Sequence, residues 1–346
     1  MSSTLLQSEI EAQPDVIRRL IDAEGDGVAG IAKTLSGGFS RVVIAARGTS
    51  DNAARYARYL FGAYNRLDVS LATPSLYTLY RQPPALDGAL VVGISQSGRS
   101  PDILAVVQEG VRQGQPTLAI TNDAASPLAS AADYVIDLHA GVERAVAATK
   151  TYTASLAALA LLSAHLAADE ARLRALDGLP ARVTATLDAN RSLQGAAQRY
   201  RYMERCAVLG RGYNYATAFE IALKLKELNR IYADPYSTAD FLHGPIAMVR
   251  EGFPVILIGA SGAMLDNVRG VARRLQALDA EIVAITDRPA DFDAAQLVMV
   301  LPGGLPEHLS PLVAVIPGQM LGLWLAEMRG YDADQPEGLT KVTETW

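Results

Sequence analysis

Short unbroken apolar runs punctuate this chain, and each stops at small or polar residues. Val43-Ile44-Ala45-Ala46 stops at Arg47-Gly48, Leu118-Ala119-Ile120 at Thr121, and Val283-Ala284-Ile285 at Thr286. Runs of this kind, without polar alternation, predict strands covered on both faces. Between them the pattern turns helical, at residues 53–64, 101–114 and 267–277. Strand, tight turn, helix, strand is the order that builds a parallel, doubly wound sheet.

The runs also recur. Residues 43–48 (VIAARG) resemble 207–212 (AVLGRG), 93–98 (GISQSG) resemble 257–262 (LIGASG), and 118–121 (LAIT) resemble 283–286 (VAIT). The first two pairs stand 164 residues apart and the third 165. Three pairs in order at a near-constant offset predict duplication of one α/β domain. A helix-rich stretch without strand signal, 168–199, joins the halves, and Gln335-Pro336-Glu337-Gly338 marks a tail. The expected organisation is an N-terminal helical segment (1–27), an α/β/α sandwich with a parallel sheet (28–165), a helical linker (166–196), a second sandwich (197–330) and a C-terminal tail (331–346). In open sheets of this type ligands bind beyond the carboxyl ends of the strands, and here those ends are rich in hydroxyls.

Composition narrows the function classes. Of 346 residues half are hydrophobic and a fifth charged, enough apolar material for two cores. A net charge of −6 and a pI near 5.3 offer no basic face for nucleic acid, yet an acidic protein can still hold an anion in a locally positive pocket. The one cysteine, Cys206, lies in the apolar run Arg205-Cys206-Ala207-Val208-Leu209 and reads as a core thiol; the four histidines form no zinc pattern. The N-terminus lacks a basic segment followed by an apolar one. The longest apolar stretch is read at 153–166, which contains Ser and His and falls short of the roughly 20 residues that span a bilayer. A soluble, cytoplasmic protein away from membranes is expected.

Residues 93–102 read Gly-Ile-Ser-Gln-Ser-Gly-Arg-Ser-Pro-Asp. A strand ends, small polar residues follow, and Pro101 opens a helix where proline is favoured. Backbone N–H groups, the hydroxyls of Ser95, Ser97 and Ser100, and the positive end of a helix dipole suit such a turn to a phosphate monoester. The plainer alternative is a capped turn with Ser100 as N-cap. The P-loop pattern is absent, and Gly210-Arg211-Gly212 lacks the third glycine of a dinucleotide fingerprint. Thr49 and Ser50, at the end of the first run, can hydrogen-bond a sugar or its phosphate, although alone they read as a helix cap. Glu220, Lys224 and Glu227 are spaced four and three apart and share one helical face; on spacing alone a solvated, salt-bridged face is the simpler reading. His243 precedes Gly244-Pro245 and so lies in a turn, where a lone histidine is usually structural.

Together, Ser95-Gln96-Ser97-Gly98 after a strand, Leu209-Gly210-Arg211-Gly212 leading into the helix with Ala222-Leu223-Lys224-Leu225-Lys226-Glu227, the His243-Gly244-Pro245 turn and Leu339-Thr340-Lys341-Val342-Thr343 resemble the sugar-isomerase (SIS) family. Within it they resemble the isomerase half of the glucosamine-6-phosphate synthases and the SIS-type glucosamine-6-phosphate deaminases. The likeness runs from Glu9-Ile10-Glu11-Ala12-Gln13-Pro14 to the tail. It implies that Ser95, Gln96, Ser97 and Ser100 bind phosphate, with Thr49 and Ser50 beside the substrate and Val146 and Ala147 lining the sugar site. It implies that Glu227 moves a proton between C1 and C2, and that Lys224 stands one helical turn before this base. His243 would open the sugar ring and come from the other subunit of a homodimer, and Lys341 would close over the substrate. The chemistry so implied needs no metal or other cofactor. Three positions depart from the family's common pattern: Arg99-Ser100 stand for Glu-Thr, Ala148 for Ser, and Arg47 for Cys. These bear on which sugar is preferred.

The synthases also carry a glutaminase domain with an N-terminal cysteine nucleophile. Residue 2 is Ser2 and the only cysteine lies mid-chain, so the expectation is a protein without that domain. The leading expectation is therefore a deaminase converting glucosamine 6-phosphate and water to fructose 6-phosphate and ammonia. Alternatives are a galactosamine-6-phosphate deaminase, a fructosamine deglycase acting on amino-acid adducts, another phosphosugar isomerase, and an isomerase-only relative of the glutamine–fructose-6-phosphate aminotransferases. A sugar-phosphate-sensing regulator would need the phosphate loop without Glu227, His243 and Lys341.

Overall fold

The computed structural model describes residues 3–341. Ten strands form two five-stranded parallel sheets. The first holds β1 (Arg41–Ala45), β2 (Asp68–Leu71), β3 (Ala89–Ile94), β4 (Thr117–Thr121) and β5 (Tyr134–Asp137), in the order β2-β1-β3-β4-β5. The second holds β6 (Arg205–Gly210), β7 (Tyr232–Ser237), β8 (Pro254–Gly259), β9 (Glu281–Thr286) and β10 (Leu297–Val300), in the order β10-β9-β8-β6-β7. Read from β7, the second order repeats the first. The repeated segments of the sequence fall on β1 and β6, β3 and β8, and β4 and β9. In the first sheet Ile44 faces Leu71 on one side and Val92 on the other.

The chain forms two compact units that are not cut at one point. Among the described residues the first-sheet unit takes 15–143, 150–178 and 340–341, and the second-sheet unit takes 3–14, 144–149 and 179–339. The stretch 168–199 is helical, as its pattern predicts, with helices Glu170–Asp177 and Leu179–Asn190 falling on either side of the division.

In the first-sheet unit the helix Pro101–Arg112 buries Ile103, Val106 and Val107 against Val43, Ala45, Val91 and Ala119. Its approach is close. A Cβ on Gly93 of β3 would stand 2.8 Å from Val107 Cγ2, so only glycine lets the helix sit where it does. The helix Lys150–Leu166 is buried from Lys150 to Ala164, the condition of a helix apolar all round.

The second-sheet unit is built around the helix Ser310–Arg329, buried from Ser310 to Ala326. This corrects the sequence reading, which put the longest apolar stretch at 153–166. Residues 307–329 are long and apolar enough to cross a membrane, but the 18-residue apolar window within them is wholly buried in the protein. The helix Asn214–Asn229 lies tight against it: a Cβ on Gly318 would stand 2.4 Å from Ile221 Cγ1. Cys206 is 2 % exposed, a core thiol as expected.

Candidate active site

In the first sheet the order reverses between β1 and β3, with β2 on one side and β4 on the other. Chains leaving adjacent strands at such a point diverge and open a crevice. Both hydroxyl-rich segments start there.

The segment after β3 is a tight turn. Ser95 Oγ accepts from Gly98 N (3.2 Å), and Ser97 Oγ accepts from Arg99 N (3.3 Å). Gly98 has φ +61°, and a Cβ there would lie 2.1 Å from Ser126 Oγ, so the turn admits no side chain at this position. The carbonyl of Gln96 accepts from Asn122 N (3.1 Å), joining the turn to the end of β4. Asn122 continues the tie by donating to Gly141 O (2.7 Å) and accepting from Ala140 N (2.9 Å). Ser100 holds the N-cap position of the helix Pro101–Arg112, but its hydroxyl makes no capping bond; it lies 3.4 Å from Ser95 Oγ instead. The capped-turn alternative therefore does not account for this serine.

After β1, Thr49 and Ser50 stand inside the first turn of the helix Gly48–Asn65, not at its cap, which is Arg47. Arg47 Nε pairs with the wholly covered carboxylate of Asp102 at 2.7 Å. That pair joins the starts of the helices that follow β1 and β3. Arg99, by contrast, meets Asp123 at 3.7 Å on the surface, a contact worth about 0–1 kcal/mol. A cleft of about 420 Å³ opens beside the turn, lined by Gln96, Ser97, Arg99, Asn122, Val142 and Glu143, among others.

Glu143, which lines this cleft, was not singled out from the sequence. Its carboxylate accepts from Thr151 N (3.1 Å), Thr151 Oγ1 (2.8 Å) and Lys341 Nζ (2.8 Å). An acidic residue inside the mainly small and apolar stretch 140–149 is the signal that could have found it. Lys341 thus lies within the first-sheet unit, bonded to a residue that lines the cleft.

The second-sheet unit carries the other candidates. Lys224, wholly covered, stands 3.4 Å from Glu220 Oε1 and 2.5 Å from Glu227 Oε2. The solvated face suggested by spacing is overturned: this face packs against the helix Ser310–Arg329, with Lys224 Cβ 3.9 Å from the position of a Cβ on Gly322. Of the two carboxylates, the Glu220 side chain is wholly covered and that of Glu227 is 23 % exposed. His243 caps the end of the helix Thr238–Leu242 in an exposed turn, and among the described residues its imidazole makes no hydrogen bond. Val146 and Ala147 belong to the segment 144–149. Glu9 accepts from Arg144 N (2.6 Å) and Ala145 N (3.3 Å), and Val146 N donates to Asp334 O (3.0 Å). Glu9, which lies in the first segment of the resemblance to the SIS family, anchors residues 144–149. The described residues contain no group of side chains suited to a metal ion.

The profile of the SIS domain matches residues 39–164 and again 201–326. This chain belongs to the SIS family. The glutamine–fructose-6-phosphate aminotransferase (isomerizing) of Gloeobacter violaceus is 35% identical over 350 residues, which cover 96% of this chain and 57% of that protein. The protein of the same name from Thermus thermophilus is 34% identical over 349 residues, covering 96% of this chain and 57% of its own length. The chain thus spans little more than half the length of these curated relatives. Among solved structures, the C-terminal domain of glucosamine-fructose-6-phosphate aminotransferase from Francisella tularensis superposes with a TM-score of 0.88 at 29% identity, covering 97% of this chain and 99% of that one. The glucosamine-6-phosphate deaminase of Thermotoga maritima gives a TM-score of 0.79 at 20% identity, covering 99% of this chain and 100% of that one, a likeness of fold alone.

The two SIS domains differ where their turns correspond. In the second, Ser261 N donates to Asp287 Oδ1 and Ala263 N to Glu307 Oε2, both at 2.8 Å. Carboxylates occupy those N–H groups, and a phosphate would meet like charge. In the first SIS domain the corresponding turn keeps its serine hydroxyls. The two copies thus differ in what answers the N–H groups of the turn: serine hydroxyls in the first and carboxylates in the second.

Proposed function

We propose that this SIS protein works at C1–C2 of a phosphorylated amino sugar, converting glucosamine 6-phosphate and water to fructose 6-phosphate and ammonia. The observation that carries the reading is the Glu220–Lys224–Glu227 cluster: a covered ammonium holds two carboxylates, and the partly exposed one, Glu227, is the one a substrate can reach. Such a fixed carboxylate suits proton transfer between neighbouring carbons.

In this proposal the Ser95–Ser100 turn, with Thr49 and Ser50, holds the phosphate through hydroxyl and N–H donors, while Val146 and Ala147 line the sugar. His243 opens the ring. Glu227 removes the C2 proton and returns it to C1 while an amine proton passes to O1, leaving an imine at C2 that water hydrolyses to the ketone and ammonia. Lys224 fixes Glu227, and Lys341 closes over the bound sugar. The exposed turn and unengaged imidazole of His243 support a homodimer in which this residue serves the partner's site. A charged sugar phosphate does not cross membranes unaided, so the proposed location is the cytoplasm.

The names of the relatives favour a second reading, the isomerase part of a glutamine-dependent aminotransferase. One assay separates the two. The protein is incubated with glucosamine 6-phosphate, galactosamine 6-phosphate and a fructosamine 6-phosphate adduct, and ammonia and ketose phosphate are measured. In parallel, fructose 6-phosphate is offered with glutamine. Equal amounts of ammonia and fructose 6-phosphate from glucosamine 6-phosphate are expected, without glutamine-dependent synthesis. Turnover of another amino sugar alone would change the substrate; glutamine-dependent synthesis would establish the second reading, and no turnover in either arm would overturn both in favour of a sensor.

A further inference from the structure

We infer that Glu143 is the seat of Lys341, a positioning residue that ties the lysine of the tail to the lining of the phosphate-turn cleft. The inference rests on the reading of Lys341 as the residue that closes over substrate, and adds what holds it there.

The Glu143 side chain is wholly covered, and that of Lys341 is 22 % exposed. A buried carboxylate needs its charge answered and its lone pairs filled. Glu143 Oε1 accepts from Thr151 N, and Oε2 is shared by Thr151 Oγ1 and Lys341 Nζ. Thr151 lies in the first turn of the helix Lys150–Leu166, where the helix dipole favours an anion. Lys150 Nζ, its neighbour, donates to Val142 O (2.8 Å), which secures the backbone beside Glu143. The carboxylate is thus fixed from the helix side, and one oxygen faces the ammonium.

The geometry of the tail gives this contact its purpose. Lys341 stands 198 residues from Glu143 in sequence, and residues 331–341 form no helix or strand. A lysine on an irregular segment has many accessible positions. A charge-assisted bond to a fixed, buried carboxylate selects one of them. Glu143 also lines the cleft together with Gln96 and Ser97, so the lysine is held by a residue of the cleft that carries the turn.

Two readouts test this, one of them independent of turnover. Limited trypsin cleavage after Lys341, followed by intact mass, is expected to run about tenfold faster in Glu143→Gln than in wild type. In kinetics with glucosamine 6-phosphate, Glu143→Gln and Lys341→Met are each expected to lower kcat/KM by about tenfold or more. The double variant is expected to be no worse than Lys341→Met alone, and Glu143→Asp to recover part of the loss. Should Glu143→Gln fail to fold, Thr151→Val, which removes one donor and keeps the carboxylate, is expected to speed cleavage several-fold. Unchanged cleavage after Lys341, or losses that multiply in the double variant, would overturn the inference. If wild type turns over no amino sugar, the function proposed above fails while the cleavage test still reads the seat.

Discussion

Lys224 carries its charge into the interior with its side chain wholly covered, and that burial separates the readings its spacing allows. An ammonium so placed without partners would be destabilised by several kcal/mol; Glu220 and Glu227 answer it at 3.4 and 2.5 Å. Spacing in the sequence shows that the three share a face, but not what the face meets. The missing information sits in Gly318 and Gly322 of the apolar helix Ser310–Arg329, small residues one turn apart that let the two helices close. His243 remained a lone turn histidine for the same reason: its sequence says where the backbone bends, not what the imidazole faces. Cys206, by contrast, was legible from its apolar neighbours. Burial pushes its thiol up to about 12, so it stays protonated and out of reach. Native protein is expected to react with no thiol reagent at neutral pH and to expose one reactive thiol per chain when unfolded; rapid native labelling would contradict the burial.

The turn between β3 and the helix Pro101–Arg112 was the most readable element, because its chemistry is local: Gly98 needs a positive φ, Pro101 starts the helix, and the serines lie between. Replacing Ser95 and Ser97 by Ala is expected to raise KM for the phosphorylated sugar by about tenfold or more, since hydrogen bonds to a charged group contribute about 1.5–3 kcal/mol each. Michaelis constants should show this while kcat changes less; an unchanged KM would assign the turn another role. The edge strands were not legible. β2 and β5 are four residues each, and β7 contains Pro235; their pairing comes from the neighbouring strand and not from an apolar run of their own. Helix limits were read to within a few residues, as at Pro101–Arg112, while the helix after β1 begins at Gly48, five residues before its apolar pattern is evident.

At the scale of the whole molecule, the duplication read from a near-constant offset corresponds to two sheets of one strand order. What the offset could not reveal is that the copies diverged at the turn, where Asp287 and Glu307 fill the second and serines furnish the first. Nor could it show that residues 144–149 pack with the second-sheet unit, because that assignment depends on Glu9 and Asp334, far away in sequence. The proposed dimer is a whole-molecule claim. Glu227→Gln and His243→Ala proteins are each expected to be inactive, and a mixture with confirmed subunit exchange to regain part of the wild-type rate; exchange without recovery would show that sites are not shared. Whether Glu227 carries the proton between C2 and C1 of an amino sugar phosphate is decided by ammonia and fructose 6-phosphate release from glucosamine 6-phosphate in wild type and Glu227→Gln. Equal release of both products by wild type and a loss of about a thousandfold or more in the variant are expected, with sugar-phosphate binding retained; turnover by Glu227→Gln near the wild-type rate would remove Glu227 from that role.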